Sequence, residues 1–194
     1  MTKIIGLTGG IGSGKTTIAN HFMAARIPVY IADDESRKIM QSAEIIADIK
    51  KTFGNEIFEN EILNRKKLSE IVFSNPEKLE QLNAIIHPAV KKHFGNWILD
   101  HKNSPFVIYE AAILFESGSY KNCDLIITVT APLESRIQRV IQRDKTSREL
   151  VLKRINTQWN DDQRISKSDY VIENVNPETA KSEVGKILKI LKIQ

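Results

Sequence analysis

The 194-residue chain has one cysteine, Cys123, so it can form no internal disulfide and no cysteine-based metal cluster. That scarcity suits a reducing compartment, in which Cys123 reads as a small buried hydrophobe. Long apolar runs are missing as well. Met1–Leu7 holds only a few apolar residues before glycines intervene, too few for a signal-peptide core or a bilayer span. The expectation is a cytoplasmic chain that does not meet the membrane. Aromatic residues make up only 7% and do not interleave with arginines. The basic residues, despite a net charge of +4, form no dense tract. This composition speaks for polyanionic small molecules and against nucleic acid as the partner. His21, His93 and His101 lack metal-ligand spacing. No N/T-K-x-D guanine motif and no D-x-x-G switch occurs, which excludes a GTP-driven switch.

What is present is an ordinary globular composition, 41% hydrophobic and 27% charged, long enough to bury a core without staples. Lys3–Leu7 reads as a buried strand ended by glycines, and Lys15–Ala25 as a helix with Ile18, Ala19, Phe22 and Met23 at helical spacing. Pro28 breaks that helix and Val29–Ile31 is a second strand. Asp33 and Asp34 are placed to cap a helix running through Met40. Residues 43–101 are rich in Lys, Glu, Leu and Ile with few strand candidates. Within them Asn75-Pro76 marks a helix start, so the block reads as a helical insertion. Strands return at Phe106–Tyr109, Leu125–Thr130 and Tyr170–Ile172. Between them lie helices from Pro132 through Arg143 and from Arg148 to Gln158. A last amphipathic helix follows Asn176-Pro177, with Val184, Ile187, Leu188 and Leu191 on its apolar side. Alternating strands and helices predict the α/β class: a parallel sheet with helices on both faces and ligands beyond the carboxyl ends of its strands.

The sequence Gly9-Gly10-Ile11-Gly12-Ser13-Gly14-Lys15-Thr16 matches the phosphate-loop pattern G-x-x-x-x-G-K-[ST] in full, with a strand before it and an amphipathic helix after it. Wrapping a polyphosphate with backbone N–H groups demands crowded and left-handed conformations that glycine tolerates. The following helix adds its positive end. Lys15 reaches the β- and γ-phosphates of ATP, the Thr16 hydroxyl is a ligand for Mg²⁺, and Thr17 extends the nucleotide-binding set. Glu110, ending the strand that begins at Phe106, stands where an acid commonly holds Mg²⁺; the alternative is an acid at a helix start.

Asp33 follows the second strand, where a carboxylate can accept the proton of an acceptor hydroxyl or merely cap a helix. Arg37, four residues on, can pair with Asp33 or bind a substrate phosphate. Arg136, Arg139 and Arg143 recur at i, i+3 and i+7 as one basic stripe, followed by Arg148, Arg154 and Arg164. Such a cluster fits mobile cations that neutralise a transferring phosphate. His87, before Pro88, is open between a substrate contact and a helix start.

These residues together resemble the dephospho-CoA kinase family nearly end to end. Ile5–Lys15 is similar to the family's opening, Ile31-Ala32-Asp33 with Arg37 to its acidic motif, and Leu63–Leu68, Ile71–Phe73 and Ile85–Pro88 to its helical insertion. Glu110-Ala111-Ala112-Ile113-Leu114-Phe115-Glu116, Arg139, Arg143-Asp144, Arg154–Gln158 and Asp169–Asn174 complete the likeness. It departs where Ile31 replaces an Asp, where Glu110 and Ala112 replace Asp and Pro, and where Val175-Asn176 lacks a glycine.

The resemblance implies a three-layer P-loop kinase fold. Residues 1–32, 104–130 and 168–194 would form the nucleotide-binding core, 33–103 a helical substrate-binding subdomain and 131–167 a helical lid. It also implies ATP-dependent phosphorylation of the ribose 3′-hydroxyl of dephospho-CoA, the last step of coenzyme A synthesis, with another P-loop nucleotide or nucleoside kinase as the alternative. Its implied roles put Asp33, Lys15 and Arg139 in catalysis. Asp33, Arg37, Arg65 and His87 would contact the substrate, Gly9–Thr17, Arg143 and Asn174 the nucleotide, and Thr16 and Glu110 the metal.

Overall fold

Strand formation starts where the β-branched run starts. In a computed structural model describing residues 2–193, the elements follow in chain order as β1 (Lys3–Thr8), α1 (Lys15–Ala24), β2 (Val29–Ile31), α2 (Ala32–Ile39), α3 (Ala43–Phe53), β3 (Phe58–Glu59), β4 (Ile62–Leu63), α4 (Arg65–Phe73) and α5 (Pro76–Asp100). They continue as β5 (Phe106–Glu110), β6 (Leu125–Thr130), α6 (Leu133–Asp144), α7 (Arg148–Asn156), α8 (Asp161–Ile165), β7 (Tyr170–Glu173) and α9 (Pro177–Ile193). The chain divides into two units, Met1–Ala32 with His101–Gln194, and Asp33–Asp100.

The first unit carries a five-stranded sheet of order β2-β5-β1-β6-β7. Every pairing in it is parallel, so the expected α/β class holds. β1 is the central strand, with Leu7 opposite both Glu110 of β5 and Ile127 of β6. Ile5 and Leu7 are fully buried, as is the α1 stripe Ile18, Ala19 and Phe22. These residues share one core with Ala180, Val184, Ile187 and Leu191 of α9. Burying each large aliphatic or aromatic side chain there is worth about 1.5–3 kcal/mol, which pins α1 and α9 against the same strands. Asn176 closes the start of α9 by accepting from the Thr179 N–H at 2.8 Å.

The second unit is helical around Ile45, Ile49, Phe53, Leu68 and Ile86. Three sequence expectations are corrected here and in α7. Asp33 and Asp34 do not cap α2: the helix begins directly at Ala32, so both acids lie inside its first turn. Their charges still face the positive end of the helix. His87-Pro88 does not start a helix either, because Pro88 sits inside the 25-residue α5. An interior proline costs about 3 kcal/mol. Apolar packing on both sides of it, by Leu82, Ile85, Ile86, Ala89 and Val90, outweighs that cost. Finally, α7 stops at Asn156, two residues short of Gln158, which leaves that side chain outside the helix. A small antiparallel hairpin, β3 with β4, was not expected in the insertion. Its turn uses Asn60 and Glu61 at positive φ, and Glu is not a residue that signals such a turn.

Cys123 is half-buried. A Cβ on Gly6 of β1 would come 3.0 Å from its Sγ. Burial, with Asp124 adding to the effect, pushes its thiol up to about 12. The thiolate is the reactive species, so a raised value leaves the thiol protonated near neutral pH. Iodoacetamide at pH 8 is therefore expected to alkylate the native protein at least about tenfold more slowly than the urea-unfolded chain. Equal rates by mass spectrometry would contradict this burial.

Candidate active site

Gly9–Thr16 joins β1 to α1 at the carboxyl edge of the sheet, where the sequence places it. α1 starts at Lys15 behind Gly14, with no side-chain capping bond, so its first N–H groups are arranged as an anion cradle. The Lys15 ammonium arches back across the loop to the Gly9 carbonyl, 2.9 Å away. Ser13 is fully buried, and its hydroxyl has no hydrogen-bond partner among the described residues. Thr16 and Thr17 are exposed at the start of α1.

The loop's shape depends on glycine at two positions. Gly12 has φ 77 and Gly14 has φ 93. A Cβ on Gly12 would meet the Arg136 carbonyl of α6, and one on Gly14 the Asn174 side chain. The Gly12 conflict is with backbone and cannot be relieved by a rotamer change. A left-handed conformation costs a non-glycine residue about 1–2 kcal/mol on top of it. Gly12→Ala is expected to weaken ATP binding about tenfold or more, since 1.4 kcal/mol corresponds to a factor of ten, while circular dichroism stays native. Unchanged affinity in a fluorescent-ATP titration would refute that close packing.

Residues distant in sequence close on this loop. Asn174, buried just beyond β7, donates its Nδ2 to the Ser13 carbonyl at 2.8 Å. Arg139 donates Nη2 to the Asn174 carbonyl at 3.0 Å and Nη1 to the Gly12 and Ser13 carbonyls, each at 3.4 Å. Arg139 and Asn174 are thus brought to the phosphate loop. Arg143 is not drawn in with them: it is exposed and donates to both oxygens of Asp144, at 2.7 and 3.2 Å. Arg154 shares Asp144, and Arg148 forks onto Glu134 at 2.7 and 2.9 Å. Those hydrogen bonds hold the Asp144 and Glu134 carboxyls below the usual range. Solvent-facing pairs of this kind contribute little to stability.

The arginine cluster expected from the i, i+3, i+7 spacing is therefore split. Arg164 is fully buried and Arg136 nearly so, and neither is a mobile cation. Burial pushes the Arg136 guanidinium below its ordinary value, and the neighbouring Asp161 carboxylate opposes the shift. Arg136, Gln158 and Asp161 belong to the loop's surroundings; sequence reasoning makes Arg136 one of the mobile cations and gives Gln158 and Asp161 no site role. Their partners lie 25 to 147 residues away, so no local spacing could reveal them.

Glu110 is buried at the carboxyl end of β5, beside β1. Among the described residues no group of three or more His, Cys, Asp or Glu could cage a metal ion. The oxygens of Thr16 and Glu110 suit a hard cation that keeps water and phosphate in its shell, as Mg²⁺ does.

The second unit holds the other expected residues. Asp33 and Arg37 are exposed on α2. Arg37 pairs with Asp34, its i,i+3 neighbour, at 3.2 Å. Arg65 donates to the Arg37 carbonyl at 3.0 Å, which ties α4 to α2. His87 is exposed on α5. A cavity of about 690 Å³ lies within this unit, with Ile39, Ile45, Ile85 and Ala89 in its wall and Lys38 and Lys92 at polar positions.

Comparison with known proteins gives the family and the fold. The dephospho-CoA kinase family model matches residues 3–179. A dephospho-CoA kinase from Fusobacterium nucleatum is 45% identical over 172 residues, covering 88% of this chain and 89% of that relative. Among solved structures, TT1252 from Thermus thermophilus superposes with a TM-score of 0.90 at 32% identity, over 97% of both chains. Dephospho-CoA kinase from Campylobacter jejuni superposes with a TM-score of 0.72 at 29% identity, over 99% of this chain and 98% of that one. With a complete phosphate loop at its head and matches that run almost its whole length, the chain belongs to the dephospho-CoA kinase family.

Proposed function

We propose that the protein transfers the γ-phosphoryl group of ATP to the ribose 3′-hydroxyl of dephospho-CoA, giving coenzyme A and ADP. The observation that carries this reading is the Gly9–Thr16 loop, with Lys15 and the uncapped start of α1 converging on one anion site, in a chain of this family. In the reaction the 3′-hydroxyl oxygen bonds to the γ-phosphorus and the bond from that phosphorus to the bridging oxygen of ADP breaks. The hydroxyl proton passes to the Asp33 carboxylate. The loop N–H groups and Lys15 hold the β- and γ-oxygens in line, and Arg139 adds positive charge beside the loop. Such positioning and charge stabilisation are nearly all that phosphoryl transfer asks of a protein. When bound, Mg²⁺ would neutralise charge between the β- and γ-phosphates, with Thr16 and Glu110 as its protein oxygens.

In this reading residues 33–103 recognise the acceptor through Arg37, Arg65 and His87, and residues 131–167 act as the lid. Thr17, Arg143 and Asn174 complete the nucleotide side. The cytoplasm is the compartment where both substrates meet. No helix among the described residues is long and apolar enough to cross a membrane.

The test is direct: purified protein, ATP and Mg²⁺ with dephospho-CoA, coenzyme A being followed by chromatography beside a panel of nucleosides and nucleotides. Phosphorylation of a nucleoside or nucleotide in preference to dephospho-CoA would overturn the assignment.

A further inference from the structure

Ile11 sits between Gly10 and Gly12 in the phosphate loop, flanked by the two residues with the most backbone freedom. Left to itself it could swing. Instead both of its backbone polar groups are taken by side chains from remote parts of the chain. Its N–H donates to Gln158 Oε1 at 2.9 Å, and its carbonyl accepts from Arg136 Nε at 3.0 Å.

Behind these two grips stands a chain of charges in which Arg136 and Arg164 are buried and Asp161 and Glu116 partly so. Arg136 Nη1 donates to Asp161 Oδ2 at 3.0 Å, and the other Asp161 oxygen accepts from Arg164 Nη1 at 3.3 Å. Arg164, with no exposed side chain, donates Nη2 to Glu116 Oε1 at 3.3 Å. The same Glu116 oxygen accepts from the Trp159 N–H at 3.0 Å, next in sequence to Gln158. The Trp159 ring stacks on Phe115, the neighbour of Glu116, with centroids 5.3 Å apart and planes within 3°. Glu116 therefore sits at the root of both grips, through Trp159 to Gln158 and through Arg164 and Asp161 to Arg136.

A chain of four charged groups with both arginines buried is a poor way to gain stability. Apolar residues of equal volume commonly do as well or better. What charge-assisted bonds do supply is direction, and here the direction ends at one residue of the phosphate loop. We propose that Glu116 and Gln158 are positioning residues for the nucleotide, acting together to hold Ile11 so that the loop N–H groups after it share one phosphate. This rests on the reading above that Gly9–Thr16 holds the phosphates of ATP. Preorganised donors stabilise charge without reorganising, whereas a loop free to swing about its glycines would have to be ordered by ATP itself.

Two variants of the full-length protein test it, with the unaltered protein alongside. Gln158→Met removes the acceptor for the Ile11 N–H from a partly exposed side chain and leaves the chain of charges intact. It is expected to keep the thermal midpoint and the KM for dephospho-CoA. ATP affinity, measured by fluorescent-ATP titration and by KM, should fall about three- to tenfold, the usual worth of one neutral hydrogen bond. Glu116→Gln keeps an acceptor oxygen but loses the charge that Arg164 meets, and should show the same ATP-only loss. If Glu116→Gln does not fold, Gln158→Met decides alone. Unchanged ATP affinity in folded Gln158→Met overturns the proposal, and so does an equal loss for ATP and dephospho-CoA. Failure of the unaltered protein to bind ATP or to phosphorylate dephospho-CoA instead overturns the function on which the proposal rests, so the two failures are distinguishable.

Discussion

Lys15→Ala is expected to lower kcat by about 10²–10³, the usual cost of losing one preorganised donor to developing charge. The Lys15 ammonium spans the loop to the Gly9 carbonyl at 2.9 Å, a contact it can exchange for phosphate oxygens without rebuilding the backbone. Lys15 opens α1 but is only partly buried, and the stripe that anchors the helix is Ile18, Ala19 and Phe22. Alanine is the best helix former, so the thermal midpoint should stay within a few degrees of the unaltered protein. Steady-state turnover and a thermal melt on the same preparation are the check. Near-normal turnover in a folded Lys15→Ala protein would remove the loop from the chemistry.

Asp33→Asn is expected to slow the chemical step by about 10²–10⁴, the range for general-base assistance, with ATP affinity unchanged. Ile31 stands where the resemblance places a second acid, so under the proposed function Asp33 has no acid at position 31 to share the role. In a loose phosphoryl-transfer transition state the hydroxyl proton leaves late, and part of the effect is positioning of the acceptor oxygen. Asn keeps the shape and one acceptor oxygen but loses the charge, which separates the two contributions. Asp33 lies inside the first turn of α2 rather than at its cap. The substitution therefore removes only a favourable charge–dipole contact, about 0.3–1 kcal/mol. If Asp33 served the helix alone, stability would drop by that small amount and the single-turnover rate would hold. A normal rate would take Asp33 out of the reaction.

The parts of this protein legible in its sequence are those decided by neighbours along the chain. The phosphate loop is eight consecutive residues, and its strand–loop–helix setting follows from the β-branched run before it and the Ile18, Ala19, Phe22 stripe after it. The parallel sheet follows from alternating strands and helices. The caps at Asn75 and Asn176 are local hydrogen bonds to N–H groups two or three residues on.

Tertiary structure decided what depends on partners far away. Arg136, Arg139 and Arg143 are equivalent by helical spacing, yet one is buried on Asp161, one holds the loop carbonyls and one faces solvent on Asp144. A helix stripe sets only which residues share a side; what that side meets sets their chemistry. Pro88 stays helical because apolar contacts on both flanks outweigh its missing hydrogen bond, and those contacts come from other helices. Glu116 and Gln158 could be quoted as part of a family likeness, but the bonds from Gln158 to Ile11 and from Trp159 and Arg164 to Glu116 exist only once the segments after β5 and around α7 and α8 have been folded against the loop. Local propensity is set by a few adjacent residues, whereas a buried charge is tolerated only where the whole fold supplies its partner.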